Sequence, residues 1–402
     1  MRFTTAGESH GPGLTILVDD FPAGVSIDLT QLNQDLARRQ EGYGRGGRMK
    51  IEKDTAQLQA GVRFGLSTGA PIALWIENRD FKNWTEVMAS QGAPTEAAEA
   101  KAFVRPRPGH ADLAGYYKYG HQDLRDVLER SSARETAARV AAGGVAKALL
   151  RALGIQVFSH VITLGGITVD ETTLPSDWTA LQERAESNGF RCAGPDTILD
   201  QMKAAVDNAL AQGTTLGGDI EVMVTGLPPG LGSYAQWDRR LDGQLAQAVM
   251  SIQAVKAVAI GAGALGGQLS GHEFHDAIAL KTNQDPNQTQ MPQKLIQRPT
   301  NRAGGLEGGV TNGMPLIVRA VMKPIATLRT ALESVNLATQ ESESAHFERS
   351  DITAVPACGV VCEAMVAIIL AKAVMDKFGH DSLSEIQANL TQYQSGLKPS
   401  IS

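Results

Sequence analysis

The sequence predicts a layered α+β fold, sheets outside and helices within, and three observations predict it. Residues 132–153 and 356–378 are apolar on nearly every side, so they read as helices enclosed by other layers. Alternating apolar stretches that end in Pro and Gly read as strands with one buried face. Finally, landmarks in the first half of the chain recur in the second in the same order. Residues 14–24 resemble 220–230, residues 65–72 resemble 309–316, and Glu129-Arg-Ser-Ser132 resembles Glu348-Arg-Ser-Asp351. Two related halves, roughly 1–200 and 205–402, are therefore expected to pack as one domain.

Each half opens with a strand followed by a helix, at about 28–40 after Asp28 in the first and at about 238–256 in the second. A further strand accompanies each Gly-x-x-x-Gly-x-Pro turn, from Pro71 to Glu77 and from Pro315 to Met322. Ser132 followed by Glu135 has the spacing of a capping box for the first buried helix. Pro356 suits a first helical turn, and Gly154 and Gly379 are expected stops. Polar segments near 85–102, 170–195 and 282–303 read as surface loops.

A chain of 402 residues with 43% hydrophobic and 20% charged residues has the composition of a soluble globular protein. Its net charge of −6 argues against a general nucleic-acid or anionic-membrane binder. Three cysteines give no disulfide framework, and the N-terminus lacks a signal peptide's apolar core, so a cytoplasmic protein is expected. The greasiest stretch, 360–375, is interrupted by Glu363 and Lys372 and reads as a buried helix, not a membrane span. No metal is expected. Cys358 and Cys362 lack two further ligands, and His272-Glu-Phe-His275 misses the zinc-protease spacing by one residue.

Arginines nevertheless bunch at Arg38, Arg39, Arg45 and Arg48, and again at Arg105 and Arg107. On an acidic protein such clusters point to a small anionic ligand. Residues 129–146 add a helix start with free N–H groups, flanked by Arg130, Ser131 and Arg134. Gly7-Glu-Ser-His-Gly-Pro-Gly13 places His10 in a glycine-rich loop, and His110 lies beside Arg107 in a similar setting. Histidine exchanges protons near neutral pH, so both are candidate acid–base groups. His121, His160, His346 and His380 lack this context and read as structural. The run Gly42-Tyr-Gly-Arg-Gly-Gly-Arg48 is neither a Walker loop nor a Rossmann fingerprint, and reads as a basic loop able to close over an anion.

These segments closely resemble the signatures of the chorismate synthase family. The resemblance is carried by Gly7-Glu-Ser-His-Gly-Pro12, Arg107-Pro-Gly-His-Ala-Asp112, Glu129-Arg-Ser-Ser-Ala-Arg-Glu-Thr136 and Arg349-Ser-Asp-Ile-Thr-Ala-Val-Pro-Ala357. Gly217-Gly-Asp219, Ser251-Ile-Gln-Ala-Val-Lys256 and the 304–327 region extend it over essentially the whole chain. It implies a β-α-β sandwich with central helices between two antiparallel sheets, a homotetramer, and 1,4-anti elimination of phosphate from 5-enolpyruvylshikimate 3-phosphate to give chorismate. That reaction is the last common step toward the aromatic amino acids, and the family needs reduced FMN without net redox change.

By motif, the resemblance assigns FMN to Arg130, Ser131, Ser132, Gln253, Ala254, Gly308, Lys323, Pro324, Ile325, Ala326, Thr327 and Arg349. Ile325 departs from the family's usual hydroxyl residue. Substrate anions fall to Ser9, Arg39, Arg45, Arg48, Arg107 and Arg134, since guanidinium pairs with carboxylate and phosphate alike. The family also places NADP contacts at the Arg39 and Arg45 positions, where substrate is the preferred reading. His110 is implied as general acid toward the leaving phosphate, His10 as holder of the reduced flavin's charge state, and Asp351 as an aid to flavin deprotonation. NADPH enters only as a direct or indirect electron source. With no Rossmann fingerprint, an external flavin reductase is the favoured supplier. The competing readings are a flavin-dependent oxidoreductase acting on a phosphorylated anionic substrate and a non-catalytic anion-binding scaffold.

Overall fold

Strands with one buried face build both main sheets of the computed structural model, which describes residues 1–46, 53–283, 293–348, 350–397 and 400–401. The first sheet runs β1 (Arg2–Ala6), β2 (Gly13–Asp19), β4 (Ile72–Glu77), β3 (Ala56–Ala60), antiparallel throughout. Its register sets Leu14 opposite Ile76, Ile16 opposite Leu74 and Val18 opposite Ile72, and all six are buried. Leu17, one residue out of phase, is exposed on the other face, as a period of two requires.

The second sheet runs β7 (Val255–Ile260), β8 (Leu316–Met322), β6 (Gly218–Thr225), β5 (Gln156–Leu164), with the two-residue strand Ile167–Thr168 at its edge. It is also antiparallel, and Leu316, Val318 and Ala320 face Val224, Val222 and Ile220 on a buried side. The neighbour order β5-β6-β8-β7 repeats the order β1-β2-β4-β3.

Helix α1 (Leu29–Gln40) begins where expected, with the Asp28 carboxylate accepting from the Thr30 N–H at 2.8 Å. It is followed by α2 (Arg125–Ser131), α3 (Thr136–Ala152), α4 (Leu241–Met250) and α5 (Val355–Phe378). Helix α3 packs against β2 and α5, and α5 packs in turn against β5 and β6. Close approach of the two helices depends on Gly143, where an added Cβ would lie 2.3 Å from the Ala364 Cβ. Helix α5 is long and apolar enough to cross a membrane, but its most apolar stretch is 89% buried in the protein.

The fully buried Glu363 of α5 sits in an ionic cluster. It accepts from both Nη atoms of Arg38, from Lys147 Nζ at 2.6 Å, from Ser159 Oγ at 2.7 Å and from Arg191 at 3.3 Å. Asp35 and Glu186 complete the balance of charge. Burial works against ionisation of Glu363, but these cations outweigh it and hold the carboxyl well below its ordinary range. Arg38, grouped by sequence with the anion-binding arginines, is thus a structural cation. Its neighbour Arg39 lies on another face of α1.

Three local expectations are corrected. The helix expected at 238–256 is only Leu241–Met250, because a turn with Ala254 at φ +70° leads directly into β7. The Ser132–Glu135 capping box does not form. Ser132 ends α2 and caps a 3-10 turn, Ala133–Glu135, by accepting from the Arg134 N–H, while Glu135 bonds Thr5, Arg139 and Gln253. The segments read as loops also contain helices Glu96–Lys101 and Trp178–Glu186 and the strand Gln293–Gln297. Thr95 and Asp177 cap those two helices and are the local signals that reveal them.

Candidate active site

Eight segments distant in sequence converge on a cavity of about 990 Å³. They are the loop after β1, the α1-following loop at 43–46, the stretch 107–111, the α2–α3 junction, the stretch 206–215, the turn after α4, the segment after β8, and residues leading into α5. Among the described residues, the cavity brings together Ser9, His10, Arg39, Arg45, Arg107, His110, Ser131, Ser132, Arg134, Gln253, Ala254, Lys323, Ile325, Ala326, Thr327 and Asp351. Arg130, Pro324 and Gly308 are not on its wall. The Arg130 guanidinium donates to the Thr5 and Gly7 carbonyls, and a Cβ added at Gly308 would lie 3.8 Å from the Tyr234 Cβ. Arg48 and Arg349 lie outside the described residues.

Each candidate histidine is held by a buried carboxylate. His10 Nδ1 is 2.8 Å from Glu129 Oε1, and the His10 backbone N–H donates to Glu129 Oε2 at 2.7 Å. An ionised carboxylate only accepts, so Nδ1 carries the hydrogen and Nε2 is left for the cavity. Trp84 covers one face of the ring at a centroid distance of 3.9 Å. His110 Nδ1 is likewise 2.6 Å from Asp112 Oδ1.

Asp112 also accepts from the Arg107 backbone N–H, from Nε at 2.8 Å and from Nη2 at 2.9 Å, while Arg107 Nη1 reaches Thr327 Oγ1. Burial disfavours its charge, but the hydrogen bonds from Arg107 and His110 win and hold its carboxyl well below the usual range. Arg107 and His110 therefore stand side by side, with Arg107 Nη2 3.0 Å from His110 Nδ1.

The other arginines are organised in the same way. Asp54 takes Arg134 Nη1 in a short ion pair and Arg39 Nη1 at 3.4 Å, while Arg39 also donates to Thr136 Oγ1 and the Ala133 carbonyl. Asp54 thus ties two guanidinium groups to one point on that wall. Asp351 accepts from Arg45 at 3.0 Å and from the Gly46 N–H at 2.6 Å. Glu348, also on the wall, is lowered to about 2 by its bond to His346, with Arg125 assisting against burial.

Several features fit a planar heteroaromatic cofactor bearing a phosphate. Gln253 Nε2 donates to Glu135, whereas its Oε1 is buried without a protein donor among the described residues and is ready to accept from a ring N–H. Ser132 Oγ donates to Ser9 Oγ at 3.2 Å, and Ser131 Oγ is turned back to the Val127 carbonyl. Lys323 donates to the Gly109 carbonyl, and burial together with Lys256 lowers its pKa. Ile325 presents its carbonyl to Thr215 at 2.7 Å, a backbone contact independent of its side chain. Gly217 lets this segment close in, since a Cβ there would lie 2.3 Å from the Met322 carbonyl oxygen.

Sequence alone gives no role to Asp54 or Arg125, and none to Glu129 although it opens a repeated motif. Asp112 was quoted within a motif but given no role. Its spacing of two from His110 and five from Arg107 is a usable signal, whereas Asp54 offers none.

Comparison with known proteins identifies the relatives of this arrangement. A family profile described as Chorismate synthase matches residues 1–375. The chain is 51% identical over 401 residues to a chorismate synthase of Trichlorobacter lovleyi, covering 99% of this chain and 100% of that one. It is 52% identical to the enzyme of Moorella thermoacetica over 99% of both chains, and 47% identical to that of Aquifex aeolicus over 99% of this chain and 98% of the relative. A solved structure described as "Crystal Structure of Chorismate Synthase" superposes with a TM-score of 0.76 at 38% identity, covering 98% of this chain and 96% of that one.

Proposed function

This chain belongs to the chorismate synthase family and eliminates phosphate from 5-enolpyruvylshikimate 3-phosphate to give chorismate; from that premise we propose how its cavity does so. The observation that carries the proposal is the Arg107–Asp112–His110 group. Asp112 fixes a guanidinium fork and an imidazole on one wall, a suitable receiver for a departing phosphate. Arg107 offsets the charge that develops on the phosphate, and His110 supplies a proton from Nε2. Arg39 and Arg134, held by Asp54, and Arg45, held by Asp351, bind the substrate's carboxylates. Ser9 assists them from the same wall, and Arg48 serves the same ligand.

The chemistry that reduced FMN would supply at this site is electron density toward the substrate and uptake of the hydrogen lost from its ring. Ser131, Ser132, Gln253, Ala254 and 323–327 hold it, with Arg130, Gly308 and Arg349 assigned to the same cofactor by motif. His10 faces this site through Nε2 and holds the proton balance there. Asp351, which accepts from Arg45 and Gly46, assists with the flavin proton. We further propose a cytoplasmic homotetramer, reduced by a separate flavin reductase that draws on NADPH, with no nucleic-acid or membrane partner. The architecture is best read as a sandwich of two duplicated β-and-helix halves, with α3 against the first sheet and α5 against the second. The two halves of that duplication, roughly 1–200 and 205–402, are supported by the neighbour order shared by the two sheets.

The decisive experiment is anaerobic turnover with a single charge of reduced FMN. Many equivalents of chorismate and phosphate per flavin are expected, with the flavin still reduced at the end. Oxidation of one flavin per product would establish the oxidoreductase reading instead.

A further inference from the structure

Arg125 is not on the cavity wall, yet its guanidinium joins two carboxylates that each hold a histidine. Nη1 donates to Glu129 Oε1 at 3.2 Å, Nη2 to Glu348 Oε1 at 3.3 Å, and Nε to the Lys101 carbonyl at 2.7 Å. Glu129 holds His10, and Glu348 accepts from His346 Nε2 at 3.1 Å. The two glutamates open the repeated Glu-Arg-Ser segments, so equivalent positions of the repeat meet on one cation.

Aromatic rings complete the pattern. The Arg125 guanidinium carbon lies 5.4 Å from the Trp84 ring centre and 5.6 Å from that of Phe103. Trp84 lies over His10 at a 32° tilt, and Phe103 stacks on His346 at 4.2 Å. On each side of Arg125, an aromatic ring covers a histidine whose ring nitrogen is held by a glutamate.

We propose that Arg125 is a positioning residue for His10: it pins Glu129 so that the imidazole presents Nε2 to the cavity, and it ties that orientation to Glu348 on the wall. The inference rests on the role given to His10 above. A carboxylate held by a buried guanidinium cannot turn away, and a rotated imidazole would leave its Nδ1–H without an acceptor. Lysine carries the same charge but only one nitrogen, so it cannot reach both glutamates and the Lys101 carbonyl together.

The test is a double-mutant cycle in the flavin-loaded enzyme, measuring kcat, KM, FMN affinity and thermal midpoint for R125K, H10A and the pair. R125K is expected to lower kcat about tenfold or more, the scale of a misplaced catalytic group, with KM changed less than about threefold. In the H10A background the same substitution should change kcat by less than about twofold. Equal losses in both backgrounds, or wild-type kcat in R125K, overturn the proposal while leaving His10's role intact. Normal turnover in H10A alone would instead remove the role of His10, and the proposal with it. If R125K does not fold, E129Q, which keeps size and one acceptor oxygen, enters the cycle with the same two outcomes.

Discussion

Replacing Asp112 with Asn removes one charge and should damage stability and turnover together. The Asp112 carboxylate is wholly buried and accepts from the Arg107 backbone N–H, Arg107 Nε and Nη2, and His110 Nδ1. An amide offers one acceptor oxygen, and its NH₂ must face either the guanidinium or the imidazole, both of which donate. Breaking a buried ion pair from one side costs about 3–5 kcal/mol, because the remaining charge stays buried. Arg107 keeps Thr327 Oγ1 and borders the cavity, so the lower end of that range is expected. Loss of orientation at both Arg107 and His110 should lower kcat by about 10²-fold.

The pH dependence follows with a definite sign. The Asp112 carboxyl is depressed in the folded protein below its ordinary value of 3.8, so its stabilisation is complete above that pH. The contribution shrinks as pH falls below 3.8 and vanishes once the folded carboxyl is protonated. Thermal midpoints of wild type and variant should therefore differ most near neutral pH and converge in acid. A variant within threefold of wild-type kcat, or a midpoint difference that persists unchanged in acid, would refute the assignment.

Two further outcomes are expected. His10→Ala and His110→Ala should each lower turnover by about 10²–10⁴-fold while FMN and substrate still bind in titration; near-normal turnover in either removes that residue from the mechanism. Glu363→Gln should cost about 3–5 kcal/mol in chemical denaturation, because Arg38, Lys147 and Arg191 lose their shared counterion. Its carboxyl is also depressed, so that loss should fade as pH falls below the ordinary value of 4.5.

What could be read from sequence divides along a physical line. Patterns confined to one element were legible: the alternation of β2 and β4, the all-round apolar faces of α3 and α5, and the Asp28 cap of α1. Glycine-rich loops bearing histidine or arginine were legible as a site because glycine and charge together are a poor recipe for packing. The capping box failed because Glu135 has partners from other elements, Thr5 and Gln253, as well as Arg139 one turn on. Arg38 and Arg39, adjacent in sequence, point to different faces of α1, one to Glu363 and the other to Thr136 and Asp54. The pairings of Asp54 with Arg134, Glu129 with His10 and Glu348 with Arg125 span 80, 119 and 223 positions, beyond any local pattern.

Those counterions also explain how an acidic protein can present a site for anions. Among the described wall residues, Arg39, Arg45, Arg107, Arg134, Lys323 and Arg329 outnumber Asp207, Glu348 and Asp351, while Asp54 and Asp112 stand behind the arginines. A guanidinium has five donors in a fixed plane, and a carboxylate behind it occupies only some of them while setting the direction of the rest. Had a ligand to displace Asp112 or Asp54, a buried carboxylate would be left unpaired at a cost of several kcal/mol. Binding that adds to the existing pairs avoids this cost, so in the proposed role the arginines would meet the substrate already oriented. Little of the binding energy is then lost to ordering them.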